Sequence, residues 1–386
     1  MAPAKTIFRT YTHKAYLSRA GHRNLDDLLG HLTGLWNLAL DQRKRLWENE
    51  QRALDRYTQH MTVTRMRQRH PDTWGRFSVL AQRSVLNRLD RSYRRFFAVG
   101  GYPRFKSKHR GVRSFQMRCP MVRTNGKWSW VKIKGIGRIR FRGDPPEGLV
   151  RRVRLVRTAR RVKVQFVVEH TVEIEPDTRP MVGVDLGITS RIALSTGETV
   201  PGVKLDRAEI KRRQRRLTKA KRGSRNRRKR VLEVRREWQR VAEREKGALH
   251  ELTTRLVRDV SASFAVEDLK IKNMVKNRRL SRSITEQQWG AFTHMLAYKA
   301  ESAGGRVVKV PPRHTSQTCH VCGWRPSESI GLGVRRYRCG DCGQTSDRDV
   351  NAARNVLQKG MALTPGGDPP GRAEQVDKRS LVAASA

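Results

Sequence analysis

Apolar residues recur at helical spacing early in the chain. Leu28, Leu32, Leu35 and Ala39 fall on one helix face, and Leu86, Leu89, Tyr93 and Phe96 do so again before "GGYPRF" stops the pattern. Residues 20–98 therefore predict a helical lobe, preceded by a short strand within 1–19. From 99 to 178 the period shortens to two: "WSWVKIKGIGRIRF" and "RRVRLVRTARRVKVQFVVEH", separated by turn residues, predict a small β-barrel or sandwich. "EPDTRP" reads as a linker. After it, "MVGVDLGITSRIALSTG" is an apolar run into Asp185 and out again, which predicts a buried strand, a tight turn and a return strand. Residues 206–260 are helical in pattern but too long for one ordinary helix, so two helices joined at Gly223 and Ser224 are expected. "VSASFAVEDLKIKNM" predicts a further buried strand. "WGAFTHMLAYKAESAGGRVVKVPP" predicts an amphipathic helix, a Gly-Gly turn and a strand. A final helix is expected within 346–358, and 359–386 has no apolar period and reads as a disordered tail. No internal repeat is visible.

Charge narrows the function. Lys and Arg number 83 against 35 Asp and Glu, a net charge of +48 and a pI near 11.5, which calls for a polyanionic partner. A membrane surface is the competing polyanion, but no apolar run reaches the roughly 18 residues of a spanning helix and no signal peptide is visible, so nucleic acid is preferred. Thirteen of the 20 residues from 211 to 230 are Lys or Arg, a helical stretch that phosphates would steady. In "VRLVRTARRVKVQFVVE" one face is apolar and the other positive, which again suits nucleic acid.

Four of the five cysteines form two close pairs. Cys319-x-x-Cys322 and Cys339-x-x-Cys342, sixteen residues apart and each followed by a glycine, have the spacing of a structural zinc ribbon in a reducing cytoplasm. Four thiolates close the coordination, so this zinc holds structure. Cys119 stands alone and reads as a small buried hydrophobe. His314 and His320 read as contact or surface residues. Acids stand at three strand or helix ends: Asp185, then Glu267 or Asp268, then Asp347 or Asp349. Singly, each could be a turn or cap residue. Together, in so basic a chain, they suit Mg²⁺ or Mn²⁺ and phosphodiester hydrolysis by a pair of ions. Strand alternation allows only one of Glu267 and Asp268 into the site.

In order and spacing, "GVDLGI" at 183–188, "FAVEDLKIKNM" at 264–274, "TSQTCHVCG" at 315–323 and "DRDVNAARN" at 347–355 resemble TnpB, the RNA-guided nuclease family encoded by bacterial insertion sequences and related to type V CRISPR effectors. "YPRFKSK" at 102–108 and the helix at Trp289 extend the resemblance over nearly all of the chain to residue 358. It implies a multidomain α+β protein. A wedge β-barrel (1–19 and 99–178) would be interrupted by a helical recognition lobe (20–98). An RNase H-like (RuvC) nuclease domain with a basic helical hairpin (179–314) would follow, then a zinc ribbon (315–345) and the last RuvC helix (346–358). By the family motif Asp185, Glu267 and Asp349 are the magnesium-binding catalytic triad, with Asp268 and Asp347 as supporting neighbours. The implied activity is cleavage of target double-stranded DNA beside a short flanking motif, with base pairing to a guide RNA reading the remainder. No HNH-type motif is visible, so one centre would cut both strands in turn. Three rivals remain at this point: a compact CRISPR effector, a non-cleaving zinc-containing regulator, and a strand-joining transposase.

Overall fold

The structure is a computed structural model and describes residues 4–107, 110–118, 121–328, 330–331 and 333–364. Cys119 and residues 365–386 of the expected tail lie outside the described residues. The chain divides into two compact units, one spanning Lys5–Val172 and the other beginning at Glu173.

The N-terminal unit starts with β1 (Ala4–Ala15) and enters α1 (Arg19–Glu50) at Ser18, whose hydroxyl accepts from Gly21 N. The predicted stripe on α1 is buried, Leu28 and Leu32 completely. Next come α2 (Arg56–Arg69), capped by Asp55, and α3 (Val79–Val99). On α3 burial falls along the stripe: Leu86 and Leu89 are buried, Tyr93 is half-buried against the same core, and Phe96 is half-exposed near the helix end at Gly100, where φ is +89°. The β region contains β2 (Ser114–Arg118), β3 (Val122–Thr124), β4 (Trp128–Ile133), β5 (Gly137–Arg142), β6 (Leu149–Arg157) and β7 (Val162–Glu173). It forms a four-stranded sheet of order β1-β7-β6-β2 and a three-stranded sheet β3-β4-β5. A backbone pair between Tyr16 and Arg140 links the two. Alternation holds as expected: Val162, Val164, Phe166 and Val168 on β7 are buried while the residues between them are not. The helices are thus an insertion between the first strand of the sheet and the others.

In the C-terminal unit, β8 (Val182–Asp185), β9 (Ser190–Leu194) and β10 (Thr199–Pro201) run antiparallel. Two helices follow, α4 (Ala208–Thr218) and α5 (Arg225–Arg255), broken at Gly223 with φ +81° and extended by a π turn at Leu256–Val260. The first of the two is only 11 residues long, so most of the expected helical length lies in the second. Strand β11 (Phe264–Glu267), helices α6 (Ile271–Met274), α7 (Ser281–Gln287) and α8 (Trp289–Ser302), and strand β12 (Val307–Val310) complete a five-stranded sheet of order β10-β9-β8-β11-β12, with β8, β11 and β12 parallel. A two-stranded ladder, β13 (Arg336–Arg338) with β14 (Thr345–Asp347), then leads into α9 (Arg348–Ala362). This helix runs past residue 358, where the sequence pattern was read as ending. Its small residue Gly360 packs so tightly on Ala265 of β11 that the turn carrying it belongs to the packed core. No helix among the described residues is long and apolar enough to cross a membrane.

Candidate metal centres

Strands β8 and β11 are parallel and in register: Ala265 stands beside Gly183 and Val266 beside Val184, so the next step sets Glu267 beside Asp185. Residues two apart on a strand share a face. Gly183 faces α9, because a Cβ there would collide with the Ala353 carbonyl oxygen and lie 2.8 Å from Leu357 Cβ. Asp185 opens to the same face. Ala265 meets Gly360 of the same helix, so Glu267 shares that face too. Helix α9 descends antiparallel to the strands, placing Asp349 in its first turn near the turn after Asp185; a Cβ on Gly187 would lie 3.9 Å from Asp349 Oδ2. The Trp289 indole donates to the Gly187 carbonyl at 3.3 Å and steadies that turn.

Electrostatics report the crowding. Burial, then the Glu267 and Asp349 carboxylates, push the Asp185 carboxyl well above its usual range, against the opposing charge of Arg348. Burial raises Glu267 as well; the Thr315 hydroxyl, which donates to Glu267 Oε1 at 2.5 Å, and the Lys359 ammonium oppose the rise. Arg335 reaches Asp349 Oδ1 at 3.9 Å and the Thr189 hydroxyl at 2.6 Å. The other two acids stand apart from this convergence. Asp268 is exposed and paired with Lys309 at 3.1 Å. Asp347 is the N-cap of α9, accepting from Asp349 N at 2.8 Å and Val350 N at 3.1 Å.

The four cysteines meet at one point. Their sulfurs lie within 4.8 Å of one another, with Cys322–Cys339 at 3.5 Å and Cys319–Cys342 at 3.7 Å. A tetrahedron of sulfurs about 2.3 Å from zinc has edges of about 3.8 Å, so the cluster fits the ion closely. Gly323 and Gly343 take φ of +78° and +69° just after each pair, as tight knuckles require. Burial disfavours the Cys339 thiolate, but the N–H groups of Cys342 and Asp341 outweigh it and bring the thiol down to about 7. Neither histidine joins the cluster: the His320 ring contacts Asn351 and Arg354, and His314 contacts Arg313. Among the described residues no other group of three or more His, Cys, Asp or Glu is so compact.

Sequence reasoning missed the polar stripe of α9. Asn351, Arg354, Asn355, Gln358 and Lys359 lie at i, i+3, i+4, i+7 and i+8, and all of them grip the segment from Pro311 to His320. Their helical spacing was readable. Their partner was not, because it is a loop.

Comparison with known proteins agrees with this geometry. The family described as "Probable transposase" matches residues 165–278, and that described as "Cas12f1-like, TNB domain" matches 289–356. A Streptomyces pristinaespiralis protein is 32% identical over 371 residues, covering 94% of this chain and 92% of that one. An Escherichia coli K12 protein, InsQ, is 30% identical over 306 residues, covering 73% and 75%. Both carry the name "Putative RNA-guided DNA endonuclease". The Cas12f1 chain of a cryo-EM complex with sgRNA and target DNA superposes over 91% of this chain and 99% of its own with a TM-score of 0.56, a likeness of fold at 12% identity. With the four motif segments at 183–188, 264–274, 315–323 and 347–355, these identities over 94% and 73% of the chain place it in the TnpB family.

Proposed function

We propose that this chain is an RNA-guided DNA endonuclease in which Asp185, Glu267 and Asp349 hold Mg²⁺ or Mn²⁺ and hydrolyse target double-stranded DNA beside a short flanking motif. The observation that carries the reading is the convergence of three acids from β8, β11 and α9 on one sheet edge of a protein with net charge +48. Hard divalent cations take carboxylate oxygens, and a bound pair supplies an activated water and stabilises the leaving oxygen. The protein's part is to hold three mutually repelling carboxylates in place: strand register fixes Asp185 and Glu267, and the Asp347 cap fixes the first turn that carries Asp349. The strand order, three antiparallel strands then a parallel pair, supports an RNase H-like (RuvC) domain with the zinc ribbon inserted before its last helix. Two linked N-terminal sheets with helices inserted after β1 support a wedge barrel interrupted by a recognition lobe.

A guide RNA has a fitting surface on β3-β4-β5. Register places Arg123, Trp128, Trp130, Lys132, Arg138, Arg140 and Arg142 on one face, while Val131, Ile133, Ile139 and Phe141 are buried on the other. Arg138 lies over Trp130 at 5.1 Å, and Arg140 and Arg142 lie over Trp128 at 5.4 and 5.8 Å. None of these five cations forms an ion pair with a carboxylate among the described residues. Half-buried rings between cations without carboxylate partners suit unstacked bases on a phosphate backbone. The flanking motif has a second surface: a cleft of about 1280 Å³ lined by His60, Arg83, Asn87, Arg91, Gln116 and Arg118. Arg, Asn and Gln are the side chains that read base edges.

The ribbonucleoprotein assembled in cells on the native locus is expected to cut a plasmid carrying the matched target in Mg²⁺. Asp185→Ala is expected to abolish cutting with RNA binding retained; persistence of cutting would sink the triad assignment. The Cas12f1-like match at 289–356 favours a second reading, a compact type V CRISPR effector with the same chemistry. A repeat array beside the gene would select it, and a transposon end would select the first.

A further inference from the structure

We propose that Thr315 is the positioning residue for Glu267, held in place by α9 on one side and by the zinc knuckle on the other. The inference rests on the reading of Asp185, Glu267 and Asp349 as the metal-holding acids.

Thr315 is 3% exposed, and its Oγ1 lies 2.5 Å from Glu267 Oε1 and 3.0 Å from the Pro312 carbonyl oxygen. A hydroxyl has one proton, and the shorter, charge-assisted contact to the carboxylate takes it. One carboxylate oxygen is thereby fixed and the other is left for a ligand. Without that bond, the strand would set only the Cα of a glutamate with three rotatable side-chain bonds.

Thr315 sits on a segment without helix or strand, held by its own turn and by α9. His314, just before it, is in the left-handed region at φ +63°, which is unfavourable for a residue other than glycine. The hydroxyl and N–H of Thr318 and the N–H of Gln317 all donate to the His314 carbonyl and close the turn. Five side chains of α9 then grip the segment. Lys359 donates to the carbonyls of Pro311 and Arg313, and Asn355 donates to the Thr315 carbonyl at 2.8 Å and the Thr318 carbonyl at 2.6 Å. Asn351 joins the Thr318 carbonyl and the His320 N–H, Arg354 meets the His320 ring, and Gln358 donates to the His320 carbonyl. Cys319 lies buried between Thr318 and His320, so the zinc tetrahedron fixes the far end. Helix α9 therefore brings Asp349 to the site and, through its polar stripe, also sets the hydroxyl that orients Glu267. This gives the zinc ribbon a share in arranging the acids without touching them.

The test is Mn²⁺ binding to the zinc-loaded, full-length chain washed free of RNA, read by the EPR signal of free Mn²⁺. Thr315→Val keeps the shape and loses the hydroxyl; Thr315→Ser keeps the hydroxyl. T315V is expected to weaken Mn²⁺ affinity by about tenfold or more, the usual loss when a residue supporting a metal ligand is removed. T315S is expected to restore it to within about twofold, with zinc content by mass spectrometry unchanged in both. If T315V loses zinc, Thr315→Ala in a chain that keeps it makes the same comparison. Asp185→Asn is the control. If D185N weakens binding and T315V does not, Thr315 has no positioning role while the triad stands. If neither weakens binding, the triad reading falls and this inference falls with it.

Discussion

Asp185 sits where burial and two neighbouring carboxylates all oppose its charge. A carboxyl whose folded pKa is raised binds its proton more tightly in the folded state than in the unfolded one. Its contribution is therefore most favourable at acid pH and is lost as pH rises from the ordinary carboxylate range, about 4, towards the raised value. Without divalent cations, Asp185→Asn should melt higher than wild type at pH 7, and the gap should shrink towards pH 4.5. Thermal scans of both proteins, zinc retained, check this; a gap independent of pH would deny that the ionised Asp185 carboxylate is strained. At this scale the acids were legible in the sequence because strand ends and a helix start are visible in apolar periodicity. Strand alternation left Glu267 and Asp268 as alternatives, and the family motif selected Glu267; in the structure Asp268 is exposed and paired with Lys309. Thr315 was not legible at all: a hydroxyl residue in a loop carries no periodic signal, and its partner is 48 positions away.

Among the elements, α9 does most to build the site, and its fit depends on glycines. Gly183→Ala would drive a methyl group into the Ala353 carbonyl and lift the helix off β8. Overpacking of this kind costs about 1–3 kcal/mol. The variant should unfold at lower denaturant and lose most of its cleavage, because Asp349 moves relative to Asp185; normal activity would show that the helix can shift without disturbing the site. In the ribbon, Cys339→Ser should lose zinc and open the segment from Pro311 to His320 to protease, readable by metal analysis and limited proteolysis. On the three-stranded sheet, Trp128→Ala with Trp130→Ala should weaken guide RNA binding roughly tenfold or more in filter binding at fixed salt, since stacking contributes about 1–3 kcal/mol per base. The alternation in "WSWVKIKGIGRIRF" already announced short strands, though one apolar and one basic face were read only in "VRLVRTARRVKVQFVVE". That the rings share the basic face follows from cross-strand register, which sequence period alone leaves open. The spacing of Leu86, Leu89, Tyr93 and Phe96 gave the helix α3 and its end correctly, but not that burial falls off along it from Leu89 to the half-buried Tyr93 and Phe96.

For the whole molecule, the +48 charge is the broadest constraint and the least specific. It predicts RNA affinity that falls steeply with salt, a linear log–log slope set by the number of phosphates neutralised. It explains why three converging acids are so informative here, and why a guide-free regulator is a poorer account: such a protein would have no use for like charges crowded at the ends of adjacent strands. That the first strand joins the strands after residue 99 was implied by the family resemblance, not by periodicity; that its neighbour is β7 was not legible, since pairing partners are set by packing. The central claim is guidance by RNA, and the most direct measurement is to purify the protein from cells carrying its native locus and sequence the RNA that accompanies it. A single enriched species, a fixed scaffold joined to a segment that can be matched to a cleavable target, is the predicted result. Recovery of no defined RNA above background would contradict the account.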